Sequence, residues 1–410
     1  MEISEQKILP NIIIDLGSNT IKFGMSCDLF PKYIIPNMIG KIKEKAFSPI
    51  KNYNNYYFGF EALYNSPSLD ITYPLIDNNG RISRTVDKDY EKIFQYIFKE
   101  AFQIDEAYYN VFILTSIFTS VKEMDIIAEI LFEKFKTYNL HFEPQSIMTL
   151  FSTSKTSGLI VNSGEITTEI IPIYEGYIIS DGISEFPFAG YELTKRFMEK
   201  YKNDFELNNV NNHYYMAQKI KESFSEILPG RKDYENTINK KEYILPDGNI
   251  IDIGNEIYEI PESIFITEIL NIKSEKLPQI IVDSINKCEI STRKELFNNI
   301  ILGGGNTCIK GFDSRLKSEI NSIKKRNCGI ISLDERNCAA WIGASRISTL
   351  GNFEGQWISR TDYFNKRGII ENDYLFNYSG LNDKKRKQIH SDNSMNLDEI
   401  YKKYIIKEQI

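Results

Sequence analysis

Three short stretches place small residues where a chain needs them to hold an anion. They are Asp15-Leu16-Gly17-Ser18-Asn19-Thr20 within IIIDLGSNTIKFG (residues 12–24), Asn162-Ser163-Gly164-Glu165-Ile166 within GLIVNSGEITTEIIPIYEGY (158–177), and Gly304-Gly305-Asn306-Thr307 within FNNIILGGGNTCIKGF (297–312). The first two read as strand–turn–strand with Gly and Ser at the turn. The third is an apolar strand running into a Gly-rich turn. Such residues let backbone N–H groups approach an anion with no Cβ in the way. Three turns of this kind, brought together, would hold a nucleotide phosphate tail from several sides.

Strands and helices must bring them together. Alternating runs around GSNT predict a hairpin over residues 10–25, with KYIIP as a third strand. Residues 41–71 are polar and suit a small exposed lobe. Tyr90, Ile93, Ile97 and Phe102 fall near helical spacing, VFILTS (111–116) reads as a buried strand, and Glu123–Tyr138 as a second amphipathic helix. The plan then restarts. Residues 158–163 and 166–173 form a hairpin, YIISDGI adds a strand, and a helix follows near Leu193–Tyr201. Residues 189–272 carry extra helices and the polar turn of YILPDGNIIDIGNE (243–256). Two βββα halves facing one another make a cleft, where small-molecule sites are favoured. From about Asn365 the chain turns polar and loses periodicity, which predicts a disordered tail, with a terminal amphipathic helix at LDEIYKKYIIKEQI (397–410).

The 410 residues leave room for roughly two to four compact units. Net charge is −7, from 49 basic and 56 acidic residues, which argues against general nucleic-acid affinity. Cys27, Cys288, Cys308, Cys328 and Cys338 are odd in number and form no CxxC pair, which predicts reduced thiols in an intracellular compartment. His141, His213 and His390 lie too far apart in sequence for a His-rich zinc site. MEISEQKILPN has no basic region before an apolar stretch, so no signal peptide is expected. No run of about 18 apolar residues predicts a membrane span.

Taken jointly and in order, these fragments resemble the actin and actin-related protein family over roughly residues 11–363. The match includes YILPDGNIIDIGNE, IYEGY at Ile173–Tyr177, NKCEISTRKELFNNIILGGGNT and ERNCAAWIGASRISTL (335–350). The LPDG and IGNE stretches are similar to the eukaryotic-type branch and set it apart from sugar kinases and heat-shock ATPases of the same core fold. FPKYIIPNMIGK and LFNNIILGGGNTCIKGFDSRLKSE resemble centractin-like members.

The resemblance implies an α/β, actin-like ATPase fold: two duplicated βββαβαβα-type lobes, a central nucleotide cleft and two smaller inserted subdomains. Its divisions would be 1–36, 72–152 and 339–364 for the first large subdomain, and 37–71 for the small one. The second large subdomain would take 153–188 and 273–338, the inserted helical one 189–272, and the divergent tail 365–410. It also implies ATP or ADP with Mg2+. The first phosphate turn would be Asp15, Gly17, Ser18, Asn19 and Thr20, with Lys22 on the phosphates and Asp15 reaching the metal through water. Asn162, Gly164 and Glu165 would form the second turn. Lys221 and Glu222 would face base and ribose, and Gly304, Gly305, Asn306 and Thr307 would lie beneath the nucleotide. Gln145 stands where the family orients an attacking water. A Gln amide positions water but is a poor base, so hydrolysis at such a site depends on geometry.

Four departures bear on that chemistry. Where the family has DSGDG, this chain has Asn162-Ser163-Gly164-Glu165-Ile166. Asn for Asp removes a charge from the magnesium water shell, so weaker magnesium retention is expected. Ile166 replaces a permissive Gly and would be strained if that position needed a positive φ. Glu169 replaces the family's His near the attacking water, and Asn337 replaces its Lys beside the adenine. At most a slow ATPase is expected. The docking loop (41–58) carries no Gly, and the plug-like IFITEILNIKS (264–274) is unusually aliphatic, reading either as a partner contact or as a buried helix. DKKRK (383–387) reads as a solvated charge run or a nuclear import signal. Two functions fit. One is a cytoplasmic, filament-forming cytoskeletal subunit that partners itself or other actin-family subunits. The other is a non-polymerising nuclear subunit of a chromatin-remodelling or other assembly. Neither binds nucleic acid directly or enters a membrane.

Overall fold

A computed structural model of the chain describes residues 11–43, 56–74, 87–186, 188–208, 212–230, 241–245, 248–270, 274–366 and 368–370. The expected tail disorder beyond 370, the terminal helix, the DKKRK run and most of the docking loop lie outside the described residues.

The strand Asn11–Leu16 (NIIIDL) is buried along its whole length at the centre of a sheet, its three isoleucines in the core and its polar Asn11 and Asp15 buried with them. It pairs antiparallel with Thr20–Met25 and parallel with Asn110–Thr115. Tyr33–Pro36 extends the meander, and Asn139–Pro144 with Ile358–Ser359 completes the other side. The second sheet repeats this plan. Gly158–Ser163 is paired antiparallel with Thr168–Tyr174 and parallel with Ile300–Gly303, which pairs in turn with Ile330–Ile331. Each sheet is thus an antiparallel meander followed by two parallel strands reached through helices. This is a mixed α/β architecture built twice from unlike sequences.

Two helices carry the chain between the sheets. Gln145–Ser152 leads from the first to the second, and Ala339–Ile347 leads back. They pack closely because Gly343 has no side chain: a Cβ there would stand 1.9 Å from the Met148 carbonyl oxygen. Trp341 is fully buried and donates its indole N–H to the Ile13 carbonyl at 3.1 Å, tying the returning helix to the central strand. Cys338 is buried beside it, as core packing requires.

Smaller units hang on each sheet. Ile39–Ile42, Tyr56–Phe58 and Leu69–Thr72 form a three-stranded sheet over a core of Met38, Tyr57, Ala62, Leu63 and Leu69. In the second half, Phe197, Tyr201, Phe205, Ile220, Ile253 and Ile257 form a separate core under the hairpin Lys241–Ile244 and Ile250–Ile253.

Some elements differ from the sequence reading. The helix Val121–Glu129 stops sooner, and the chain then widens to a π turn in which the Phe135 N–H reaches the Ile130 carbonyl. Asp87–Gln95 ends the same way, with the Phe102 N–H on the Ile97 carbonyl. Periodicity of apolar residues cannot separate these wider turns from α-helix. The third strand of the second meander is split into Tyr177–Ile178 and Ser184–Phe186, both against Thr168–Tyr174. Ile264 and Phe265 of the plug-like segment are packed into the core of the second half. Among the described residues no helix is long and apolar enough to cross a membrane.

Candidate functional site

The cleft between the two halves encloses about 680 Å³ and is lined by all three small-residue turns. Every residue nominated from sequence lines it except Thr307, which is fully buried and bonds the Gly304 carbonyl through its hydroxyl at 2.8 Å, bracing the turn from behind.

The first turn is tight because a Cβ at Gly17 would stand 2.6 Å from the Thr20 carbonyl oxygen. The Gly17 N–H returns to the Asp15 carbonyl at 3.1 Å, and Asn37 donates to the Gly17 carbonyl at 3.0 Å. The amides of Ser18 and Asn19 make no hydrogen bond among the described residues. The second turn closes with the Gly164 N–H on the Thr167 carbonyl at 3.0 Å. It is then stapled by a helix start: the N–H groups of Gly190 and Tyr191 donate to the carbonyls of Gly164 and Glu165 at 3.1 and 2.7 Å. Helix starts leave such donors unpaired, and here the turn satisfies them. Ile166 has a negative φ, so the strain that a positive φ would impose is absent. In the third turn Gly304 has φ +83°, and a Cβ there would stand 2.2 Å from the Ser163 carbonyl oxygen. Asn306 donates to the Gly164 carbonyl at 2.6 Å and the Ser163 hydroxyl at 3.2 Å, locking second and third turns together.

The floor of the cleft is a polar network. Asp15 receives Lys22 at 3.0 Å on one oxygen and the Gln145 amide at 2.6 Å on the other. Burial works against the Lys22 charge, but the Asp15 carboxylate outweighs it and holds the pKa above the ordinary lysine value. Gln145 begins its helix directly after Pro144, and its carbonyl oxygen takes the Asn162 amide at 3.5 Å. Glu169 sits opposite Asn162 in the strand register. Its Oε1 accepts from the Ser116 hydroxyl at 2.5 Å, while Oε2 has no partner among the described residues. Burial pushes its pKa up to about 7, against the Ser116 hydrogen bond and the neighbouring Asn162 amide, both of which favour the charged form.

On the other wall Lys221 is 5 % exposed, donates to the Gly190 carbonyl at 3.1 Å and lies 3.8 Å from Glu165. Tyr214 donates its hydroxyl to the other Glu165 oxygen, and burial followed by that carboxylate raises the Tyr214 pKa well above the phenol range. Glu222 is more open and accepts from Gln218 at 2.7 Å and Lys219 at 2.8 Å. Ser116, Arg336 and Tyr214 belong to this constellation or its support but were not nominated from sequence. Arg336 holds the third turn by two bonds to the Thr307 carbonyl, at 3.1 and 2.8 Å. Nothing local in the sequence marks them, because strand order, not spacing, brings them in.

The arrangement fits an anionic, phosphate-bearing ligand: Ser18 and Asn19, whose backbone amides are unpartnered among the described residues, line a cleft that also carries Lys22 and Lys221. A divalent cation accompanying that ligand would find hard oxygen at Asp15 and at the unpartnered Glu169 oxygen, while Asn162 offers no charge.

Comparison with known proteins agrees with this geometry. The family model described as Actin matches residues 7–372. An "Actin-like protein" of Neurospora crassa is 29% identical over 370 residues, covering 88% of this chain and 96% of its own. Over nearly its whole length, the chain belongs to the actin family.

Proposed function

We propose that this actin-related chain binds ATP or ADP in the cleft and serves as a cytoskeletal or filament-forming subunit, partnered by itself or other actin-family subunits in the cytoplasm. One observation carries the reading: three small-residue turns from two sheets converge on one cleft with amides of Ser18 and Asn19 unpartnered and with Lys22 and Lys221 among its lining residues. In this reading Ser18 and Asn19 donate backbone N–H groups to the phosphates and Lys22 adds charge. Gly164 and Glu165 close on the tail from the other side. Gly304, Gly305 and Asn306 support it from below, braced by Thr307, and Lys221 with Glu222 faces base and ribose. Bound Mg2+ would neutralise phosphate charge, with Asp15 holding it through water.

Such a ligand touches both halves, so its differential affinity for open and closed arrangements would couple the cleft to partner association. Hydrolysis would be slow. Gln145 is held by Asp15 and Asn162, which orients its amide but supplies no strong base. Concentration-dependent pelleting with ATP, together with single-turnover phosphate release, tests the reading. Pelleting with release slower than conventional actin supports it; absence of both nucleotide binding and pelleting contradicts it.

The burial of Ile264 and Phe265 favours a second reading, since those side chains are not offered to a neighbour. In it the chain is a non-polymerising nuclear subunit of a chromatin-remodelling or other multiprotein complex. Nucleotide-bound protein that never pellets would favour this reading.

A further inference from the structure

The cleft floor holds a buried carboxylate oxygen that the chain leaves unsatisfied. Glu169 is 2 % exposed and lines the cleft, and its Oε2 has no hydrogen-bond partner among the described residues. Burying a carboxylate is costly unless a cation or full hydrogen bonding compensates it. The nearby lysines are engaged elsewhere: Lys22 with Asp15 at 3.0 Å, and Lys221 with the Gly190 carbonyl at 3.1 Å and Glu165 at 3.8 Å. Asn162, directly across the strand pair, brings an amide where a second carboxylate would otherwise stand. The path Asp15–Gln145–Asn162, with bonds of 2.6 and 3.5 Å, ends opposite Glu169, so two carboxylates flank a pair of neutral amides.

We propose that Glu169 supplies the second carboxylate for a divalent cation carried into the cleft with the nucleotide, so that the charge absent at position 162 comes from the neighbouring strand. This rests on the nucleotide reading above. Among the described residues no cluster of three or more His, Cys, Asp or Glu side chains stands ready to hold a metal alone. That suits a magnesium-type ion, which binds through one or two carboxylates and takes its remaining ligands from phosphate and water.

The test uses the full chain stripped of nucleotide, with ADP binding measured in EDTA and Mn2+ binding followed by electron paramagnetic resonance at saturating ADP. Glu169→Gln keeps ADP affinity in EDTA within about twofold and loses at least about tenfold in Mn2+ affinity, the scale of a lost metal-shell group. Glu169→Leu, which removes the donor oxygen without adding another ligand, shows the same loss. Adding Asn162→Asp to Glu169→Gln recovers most of it. Wild-type Mn2+ affinity in both single variants overturns the proposal, as does an equal loss of ADP affinity in EDTA. A folded wild-type chain that binds no ADP under either condition overturns the nucleotide reading itself and the proposal with it.

Discussion

The Ser116 hydroxyl donates to Glu169 Oε1 at 2.5 Å, joining the end of a strand in one sheet to a strand in the other across 53 residues. It is a polar stitch between the two halves at the floor of their cleft. A hydrogen bond to a charged group contributes about 1.5–3 kcal/mol, and an orphaned partner adds to its loss. Ser116→Ala is therefore expected to lower unfolding free energy by roughly 2 kcal/mol. Urea denaturation checks this, and an unchanged midpoint and slope would contradict it.

Glu169 also gives stability a pH dependence in metal-free protein. Its folded pKa is raised from 4.5 to about 7, so the folded chain binds more protons than the unfolded chain between those values. This group's contribution to stability therefore falls as pH rises from 4.5 to about 7 and stays low above. Glu169→Gln removes the penalty. Its advantage over wild type should be near zero at low pH and grow to the order of 3 kcal/mol at alkaline pH. Melts across that range in EDTA check it, and a pH-independent difference would sink it.

The closeness of the two connecting helices is set by one absent side chain. With a Cβ at 343 only 1.9 Å from the Met148 carbonyl oxygen, Gly343→Ala must push the helices apart. Overpacking costs about 1–3 kcal/mol, and backbone cannot yield as a flexible side chain would. The variant should melt lower and expose Trp341 to quencher. A melt within a degree of wild type would mean that the helices slide freely.

Much of the frame was legible in the sequence, and particular residues show why. VFILTS is an apolar run that reads as a buried strand, and IIID and IKFGM around GSNT read as a hairpin, whatever lies around them. The Gly-rich turns are legible because steric need fixes residue type: Gly304 at φ +83° has few substitutes. What was not legible is set by tertiary approach. Ser116 meets Glu169 only because two separate sheets face one another, and Arg336 reaches Thr307 across 29 residues. The concern about Ile166 assumed a positive φ, whereas the turn closes through Gly164 and Thr167 and leaves Ile166 in ordinary backbone space.

Gly304 makes the third turn a test of the cleft. Alanine there meets both a positive φ and the Ser163 carbonyl oxygen at 2.2 Å. Strain of about 1–3 kcal/mol would reshape the turn and its neighbour. Gly304→Ala should weaken ADP binding by about tenfold or more while the protein stays folded, following from 1.4 kcal/mol per decade of affinity. Fluorescence titration with ADP reads this directly, and wild-type affinity would remove the third turn from the ligand's contacts.

The central claim is that the cleft holds an adenine nucleotide. Its most direct measurement is the nucleotide content of the purified, folded chain, followed by ADP titration of the stripped protein and of Lys22→Ala. The account predicts one nucleotide per chain and a clearly weaker variant. A folded wild-type chain that carries none and takes up none at millimolar ADP would contradict it.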